Sequence, residues 1–298
     1  MSLFNKVKSY LMPLSMLLGG IFYTQLGQLV YITQVLIFLI LLIAYSNISL
    51  KEVRFTKLHL YLIIIQLVGS VIVYLLIATF DLTVAQGTMI CILAPTATSA
   101  IVVTGMLGGN TASLTAYCLL SNLSVVVGAP LFFSVLGRQA DVSFWGQLFH
   151  IGERVFLLLL VPFIVSILIN RFLPAVHLRI KKAQPLSFLL WNIAIIVATA
   201  KTVYFLMLEV DTHLKTAMWL FFFALLVCVF QFYIGRRLGR KFNDTVAGGQ
   251  GLGQKNTILA IWMAQSYLEP ISSIAPGAYI LWQNIINSYQ VWRKQQHN

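Results

Sequence analysis

The chain has 298 residues, of which 59% are apolar and only 9% are charged, and its mean hydropathy is +0.87. A soluble domain carries about 25% charged residues, so this composition excludes an ordinary soluble protein and predicts an integral membrane protein. The formal net charge is +12, but the basic residues are spread over several short loops. We therefore expect no nucleic acid partner, because that would require one basic face.

Ten apolar runs follow one another along the chain, and each is a candidate membrane-spanning helix. They cover residues 9–24, 29–47, 58–80, 83–107, 111–136, 150–173, 184–209, 214–235, 245–267 and 271–292. If the amino terminus is inside the cell, most of the 20 Lys and Arg residues fall in inside loops, as is usual for membrane proteins. The pattern predicts an all-α integral membrane protein with ten transmembrane helices, in the cell membrane, with both termini cytoplasmic.

The fourth and the ninth runs are each interrupted by small and polar residues. The fourth run, 83–107, breaks around residues 94–99, which include Pro95. The ninth run, 245–267, breaks around residues 248–257, which include Gly251, Gly253 and Lys255. Inside a bilayer, unwound backbone survives only where protein or water satisfies its polar groups. We therefore interpret Pro95, Gly251 and Gly253 as helix breaks that mark a solute site.

A division of the chain after residue 140 leaves five runs in each part. Because five is an odd number, the second part enters the membrane from the opposite side, so 1–140 and 141–298 are predicted to be two inverted five-helix repeats. The interrupted run is the fourth in each repeat. The interrupted helices, numbers 4 and 9, are therefore expected to cross near the midplane of the membrane.

Short motifs at both interruptions resemble those of the bile acid:sodium symporter family and its bacterial members. The matches are Pro95, Thr98, Ser99 and Thr104 to the family's Cys-Pro-Gly-Gly-Thr-Ser-Ser-Asn region, and Gly253, Asn256, Thr257, Leu259 and Ala260 to its Glu-x-Gly-x-Gln-Asn-Ser-Gly-Leu-Ala region. Gln66 matches a glutamine of the third span, and 282–288 resembles the Trp-His-Asn-x-x-Gly-Ser of the tenth. The resemblance implies alternating access between a panel and a core domain, each drawn from both repeats, and usually sodium-driven uptake of an organic anion.

The chain departs from that family where sodium would bind. Gly251 stands at the position of the family's sodium-binding glutamate, Lys255 at that of a sodium-ligating glutamine, and Ile101 at that of an asparagine. All eight acidic residues fall in loops or at the ends of runs, so no carboxylate is expected at midmembrane depth to help hold a cation. We expect the ammonium group of Lys255, with Gln66 and Gln254, to occupy the place of a sodium ion.

Three roles for Lys255 are open. A permanent ammonium would be a tethered cation and would make transport independent of sodium, whereas an amine that gains and loses a proton would couple transport to protons. In the third role the side chain only neutralises the carbonyl ends of helices. A lysine at the centre of a membrane helix costs about 2.5 to 3.5 kcal/mol, which favours a functional role.

Polar side chains near the breaks are candidate substrate contacts. Amides at the start of a helix carry positive partial charge and favour an anion, and Lys255 adds to that preference. The candidate substrate-binding residues are Thr98, Ser99, Asn256, Thr257, Asn284 and Ser288. Each could equally hold neighbouring helices together.

These features predict a secondary active transporter that moves a small organic anion by alternating access, either coupled to protons or uncoupled. The alternatives are a sodium-coupled symporter of bile acids or other organic anions, a passive channel and an intramembrane sensor. The chain has no His-Glu-x-x-His and no Gly-x-Ser-x-Gly motif, so no enzyme is predicted. The three cysteines lie in apolar runs, and we expect neither a metal site nor a cofactor.

Overall fold

The computed structural model describes residues 14–48, 54–136, 143–208 and 210–296. Within these ranges the chain is helical and has no β-strand. The helices are α1 (Tyr23–Leu26), α2 (Val30–Tyr45), α3 (Lys57–Ala78), α4 (Leu82–Leu93), α5 (Ser99–Met106), α6 (Thr111–Leu136), α7 (Phe144–Phe172), α8 (Pro174–Lys182), α9 (Gln184–Leu208), α10 (Val210–Lys241), α11 (Thr245–Gly253), α12 (Thr257–Tyr267) and α13 (Ile274–Gln296). Residues 14–21 are also helical, and 3₁₀ turns at Gly27–Leu29 and Pro270–Ser273 precede α2 and α13.

Several of these helices are long and apolar enough to cross a membrane. Five of the described helices meet that condition, and the bent pair Tyr23–Leu29 and Ile32–Tyr45, with 64° between its parts, makes a sixth if it forms one span. The helices α3, α6 and α9 lie within a few residues of the apolar runs predicted for them. The all-helical, multi-pass architecture is thereby supported, whereas the total of ten spans and the inverted repeat remain predictions.

The two interrupted runs are broken in the structure, so neither counts as one long helix. Residues 94–98 separate α4 from α5, and residues 254–256 separate α11 from α12. The halves have 12, 8, 9 and 11 residues. A membrane-spanning helix needs about 20 residues, so each half is too short to cross a bilayer alone.

The chain divides into two compact units, and each unit combines two stretches that are distant in sequence. The first unit takes the described residues of Met1–Ile48 and Arg154–Leu214, and the second takes those of Ser49–Glu153 and Lys215–Asn298. The two breaks therefore belong to the second unit.

In the first unit, α2 and the segment before it pack against α9. Polar side chains pair in this otherwise apolar unit. The Ser15 hydroxyl donates to Oδ1 of Asn192 at 3.1 Å, and the hydroxyl oxygens of Ser46 and Ser166 lie 3.1 Å apart. Such pairs hold membrane helices together where apolar contact alone gives little preference over lipid.

In the second unit, α10 and α11 approach so closely that backbone meets backbone. A Cβ atom added at Gly248 would lie 2.8 Å from the Cα atom of Gly239, and one added at Gly235 would collide with the Gly248 carbonyl. Small residues allow membrane helices this approach. The packing holds the first half of α11 against α10.

Candidate functional site

The two breaks run antiparallel and exchange backbone hydrogen bonds. Thr96 and Lys255 form an isolated antiparallel β-bridge. Its hydrogen bonds run from the Ala97 amide to the Gln254 carbonyl, at 3.0 Å, and from the Asn256 amide to the Pro95 carbonyl, at 2.8 Å. Each break thus supplies polar partners that the other lacks, which allows unwound backbone to be buried.

The side chain of Lys255 is buried beside the end of α4. Only 1% of this residue is exposed, and its Nζ atom donates to the carbonyls of Ile92 at 2.7 Å and Ala94 at 3.0 Å. Among the described residues no carboxylate forms an ion pair with it. The carboxyl end of a helix carries negative partial charge, so the amine lies where a cation is stabilised.

Side chains from other helices satisfy the whole end of α4. The carbonyls of residues 91–94 accept no hydrogen bond from an amide of the same helix. The residue that would otherwise bond to the Cys91 carbonyl is Pro95, which has no amide hydrogen. The donors are Gln231 to Cys91 at 3.2 Å, Lys255 to Ile92 and Ala94, and Gln66 to Leu93 at 2.8 Å and to Ala94 at 3.3 Å. Three polar side chains from outside α4 therefore donate the hydrogen bonds that the carbonyls at its end need.

Gln66 is the most connected of these side chains. It is fully buried, and while its Nε2 atom serves α4, its Oε1 atom accepts from the hydroxyls of Tyr117 at 3.0 Å and Ser121 at 2.8 Å. The Ser121 oxygen also accepts from the Thr96 amide at 3.1 Å. One glutamine on α3 thereby links the end of α4, the first break and α6.

Side chains from other elements also bond to the end of α11. The Thr96 hydroxyl donates to the Gly251 carbonyl at 2.7 Å, and the Tyr279 hydroxyl donates to the Gly253 carbonyl at 2.9 Å. Tyr279 in turn accepts from Nε2 of Gln231 at 2.9 Å. The amide of Lys255 donates to Oε1 of Gln283 on α13 at 2.9 Å.

Four of the predicted site residues lie beside the starts of α5 and α12: Thr98, Ser99, Gln254 and Asn256. Thr98 is half-buried and Ser99 is exposed, and the Ser99 hydroxyl accepts from Nε2 of Gln254 at 2.9 Å. Asn256 is half-buried, and its Oδ1 atom accepts from the Leu259 amide at 3.3 Å, which caps α12. Thr98, Ser99 and Asn256 border the breaks and remain partly accessible.

The remaining predicted contacts differ in their surroundings. Thr257 is buried in the first turn of α12. Asn284 donates to the Ile280 carbonyl of its own helix at 2.6 Å, and Ser288, one turn further along α13, is exposed. The structure therefore places Asn284 and Ser288 on α13 and not in the breaks.

The predicted helix breaks need one correction. Pro95 lies in the first break, but Gly251 and Gly253 belong to α11, which ends at Gly253. Both glycines are needed because a side chain at either position would meet an aromatic ring. A Cβ atom at Gly251 would lie 2.8 Å from Cδ1 of Tyr117, and one at Gly253 would collide with the Phe232 ring. The Tyr117 ring thus fills the space that a glutamate at 251 would need.

Several residues of this network were not among the predicted site residues. They are Thr96, Tyr117, Ser121, Gln231, Tyr279 and Gln283. The available signal was an amide side chain inside an apolar run, since polar groups in membrane helices seek partners. Gln231 in the eighth run and Gln283 in the tenth both carry that signal.

Comparison with known proteins adds a family to this geometry. The sequence matches the SBF-like CPA transporter family over residues 24–286, which is most of the chain. The chain belongs to that family. The SBF-like family is of the bile acid:sodium symporter type, so the resemblance seen in the motifs is confirmed, and the chain is a multi-pass membrane protein of a transporter family. No curated protein matches the chain.

Proposed function

We propose that this SBF-like protein is a secondary active transporter that moves a small organic anion by alternating access, with Lys255 in place of a coupling sodium ion. The observation that carries the proposal is the buried Nζ atom of Lys255, within 3.0 Å of the Ile92 and Ala94 carbonyls. Hard cations are held by several oxygen ligands. Here the amine already occupies the oxygens at the end of α4.

The proposed substrate is an anion because of the helix ends at the crossing. The helices α5 and α12 both begin at the breaks, and the starts of helices carry positive partial charge. Thr98, Ser99 and Asn256 lie there and are not fully buried. Together with the charge of Lys255, these groups support binding of a carboxylate or a similar anion.

Two versions of the proposal follow from the hydrogen bonds of Lys255. Its Nζ atom reaches two carbonyl acceptors. The group that is left over is either the third hydrogen of an ammonium or the lone pair of a neutral amine. A fixed ammonium makes transport uncoupled, whereas a proton that enters and leaves this position makes transport proton-coupled.

We also propose that the second unit is the core domain, the first unit is the panel domain, and the two parts of the chain are inverted repeats. Matching contacts in the two parts support this. Tyr117 bonds to Gln66 in the first part, and Tyr279 bonds to Gln231 in the second. Four residues after these tyrosines, Ser121 accepts from the amide of Thr96 and Gln283 accepts from the amide of Lys255. Two copies of one fold would produce such pairs.

Uptake into proteoliposomes tests the transport proposal. The purified protein would be supplied with radiolabelled succinate or cholate, with sodium replaced by N-methylglucamine, and with or without a pH gradient. We expect saturable uptake that persists without sodium and is stimulated by unlabelled substrate on the opposite side. Strict sodium dependence would overturn the role of Lys255, and flux without saturation or counterflow would indicate a channel.

A lysine variant tests the residue itself. Lys255→Gln removes the cation and introduces the residue that the family has at this position. The matched control is Lys215→Gln, which changes an exposed lysine on α10. We expect at least about tenfold slower uptake for Lys255→Gln, the equivalent of about 1.4 kcal/mol, and unchanged uptake for the control. Equal uptake by both variants, with intact folding, would contradict the proposal.

A further inference from the structure

The last turns of α10 and α13 bring three arginines together. Nη1 of Arg236 on α10 donates to Oε1 of Gln290 on α13 at 3.1 Å. Arg240 lies one turn beyond Arg236, and Arg293 lies one turn beyond Gln290. The charges of Arg240 and Arg293 both act on Arg236. Arg240 and Arg293 therefore lie near enough to Arg236, at one end of the second unit, for their charges to affect it.

Arg236 is held in a fixed position within this cluster. Its aliphatic stem passes over Gly249 of α11, where an added Cβ atom would collide with Cγ of the arginine. Gln290, which accepts from Arg236, also accepts from Nε2 of Gln250 at 3.4 Å. Arg236 is half-buried, so contacts from α10, α11 and α13 set the direction of its guanidinium group.

No carboxylate forms an ion pair with the cluster of Arg236, Arg240 and Arg293 in the part of the chain that the structure describes. Like charges held close together repel each other, and Arg236 uses one of five N–H donors on Gln290. The remaining donors form the planar fork that binds phosphate through two hydrogen bonds.

Exposed aromatic residues show at which level of a membrane this cluster lies. Tyr233, Tyr289 and Trp292 are all exposed on the last turns of the same two helices. Tyr233 accepts from Nη1 of Arg237 at 2.9 Å, and the Tyr289 and Trp292 rings lie 6.0 Å apart. Exposed Tyr and Trp residues at the ends of membrane helices mark the lipid headgroup region.

We propose that Arg236, Arg240 and Arg293 form a binding site for the phosphate group of an anionic phospholipid, at the ends of α10 and α13. The fixed guanidinium of Arg236 binds the phosphate oxygens, and the other two arginines add positive potential. The aromatic residues at the same level favour a lipid over a free phosphate ion, since they contact the glycerol and acyl region beside a headgroup. This site is separate from the crossing of the breaks and does not depend on the transport proposal.

Native mass spectrometry of the detergent-solubilised full chain tests this site. Phosphatidylglycerol, phosphatidylcholine and inorganic phosphate would be added separately to the wild type, Arg236→Gln and Arg293→Gln. The matched control is Arg54→Gln, which removes an exposed arginine outside the cluster. Arg236→Gln removes the guanidinium that would bind the phosphate directly, so we expect phosphatidylglycerol binding to weaken at least about tenfold in this variant. Arg293→Gln removes only positive potential and should weaken binding by a smaller factor of about threefold. Binding should be unchanged in the control.

Two results would contradict the lipid site. Equal retention of phosphatidylglycerol by Arg236→Gln and Arg54→Gln would overturn the proposal. If the wild type retains inorganic phosphate as well as it retains phosphatidylglycerol, the site binds soluble anions and the lipid assignment is overturned. Circular dichroism of each variant separates a lost site from a lost fold, and Arg293→Gln, which changes an exposed side chain, tests the cluster if Arg236→Gln does not fold.

Discussion

Thr96 and Lys255 face each other across the two breaks, and each completes the helix from which the other's break begins. The Thr96 hydroxyl donates to the Gly251 carbonyl near the end of α11, and the Lys255 amine donates to the Ile92 carbonyl at the end of α4, both at 2.7 Å. The exchange makes the stability of each helix end depend on a side chain from the other break. Single substitutions can test that dependence.

Thr96→Val is expected to destabilise the protein. Valine keeps the shape of the side chain but cannot donate to the Gly251 carbonyl, so a buried acceptor is left without its hydrogen bond, at a cost of about 1 to 3 kcal/mol. Thermal unfolding can be followed with a thiol-reactive dye, because Cys91, Cys118 and Cys228 are buried in the folded protein. We expect a lower unfolding temperature, and an unchanged one would show that this hydrogen bond contributes nothing.

Thr98→Val is the matched control for that substitution and also tests the substrate site. The Thr98 hydroxyl makes no hydrogen bond with any described residue, so the unfolding temperature should be unchanged. If Thr98 binds the anion, uptake of succinate or cholate into proteoliposomes should fall. A variant that transports like the wild type would remove Thr98 from the proposed substrate contacts.

Gln66→Leu should lower the unfolding temperature more than a substitution that removes only one hydrogen bond. It leaves the Leu93 carbonyl and the hydroxyls of Tyr117 and Ser121 without a buried partner. The double variant Gln66→Leu with Tyr117→Phe removes one of these orphaned groups. We therefore expect the two effects on the unfolding temperature to be less than additive. Strict additivity would mean that the two side chains do not interact.

Gly251→Ala and Gly277→Ala form a pair that separates crowding from helix propensity. Both glycines lie in helices, so alanine brings each the same gain of about 1 kcal/mol. At Gly251 the added methyl group would lie 2.8 Å from the Tyr117 ring, whereas at Gly277 nothing lies within 4 Å. Overpacking costs about 1 to 3 kcal/mol. Melting curves should show a lower unfolding temperature for Gly251→Ala and an equal or higher one for Gly277→Ala.

The positions of several long helices and the approximate positions of both breaks followed from local sequence, whereas α8 lies where a loop was expected. Apolar length located α3, α6 and α9, and the polar residues around Pro95 located the first break. The second break was expected over residues 248–257 and lies within that range, at residues 254–256, but it is narrower than expected, because Gly251 and Gly253 disfavour a helix in isolation. In the folded protein the rings of Tyr117 and Phe232 need the space that these glycines leave, and α11 continues to Gly253.

The partners of the buried polar groups could not be read from the sequence. The burial of Lys255 was expected from its place in an apolar run, but its acceptors at Ile92 and Ala94 belong to a distant helix. The sequence shows Gln231 as a polar residue in a membrane helix, but it does not show that its hydrogen-bond acceptor is the Cys91 carbonyl. Such contacts depend on which helices cross, and one sequence does not contain that information.

The exchange of hydrogen bonds between the breaks also constrains how the protein is made. Residues 94–98 leave the ribosome well before residues 254–256, because chains are synthesised from the amino terminus. Gln66 and Ser121 are made early and can bond to the first break, but the amide of Ala97 has its partner only after Gln254 has been inserted. Until the ninth run is inserted, the Ala97 amide in the first break therefore has no hydrogen-bond acceptor from the second break. A chain truncated before the ninth run cannot form this hydrogen bond and cannot reach the native state.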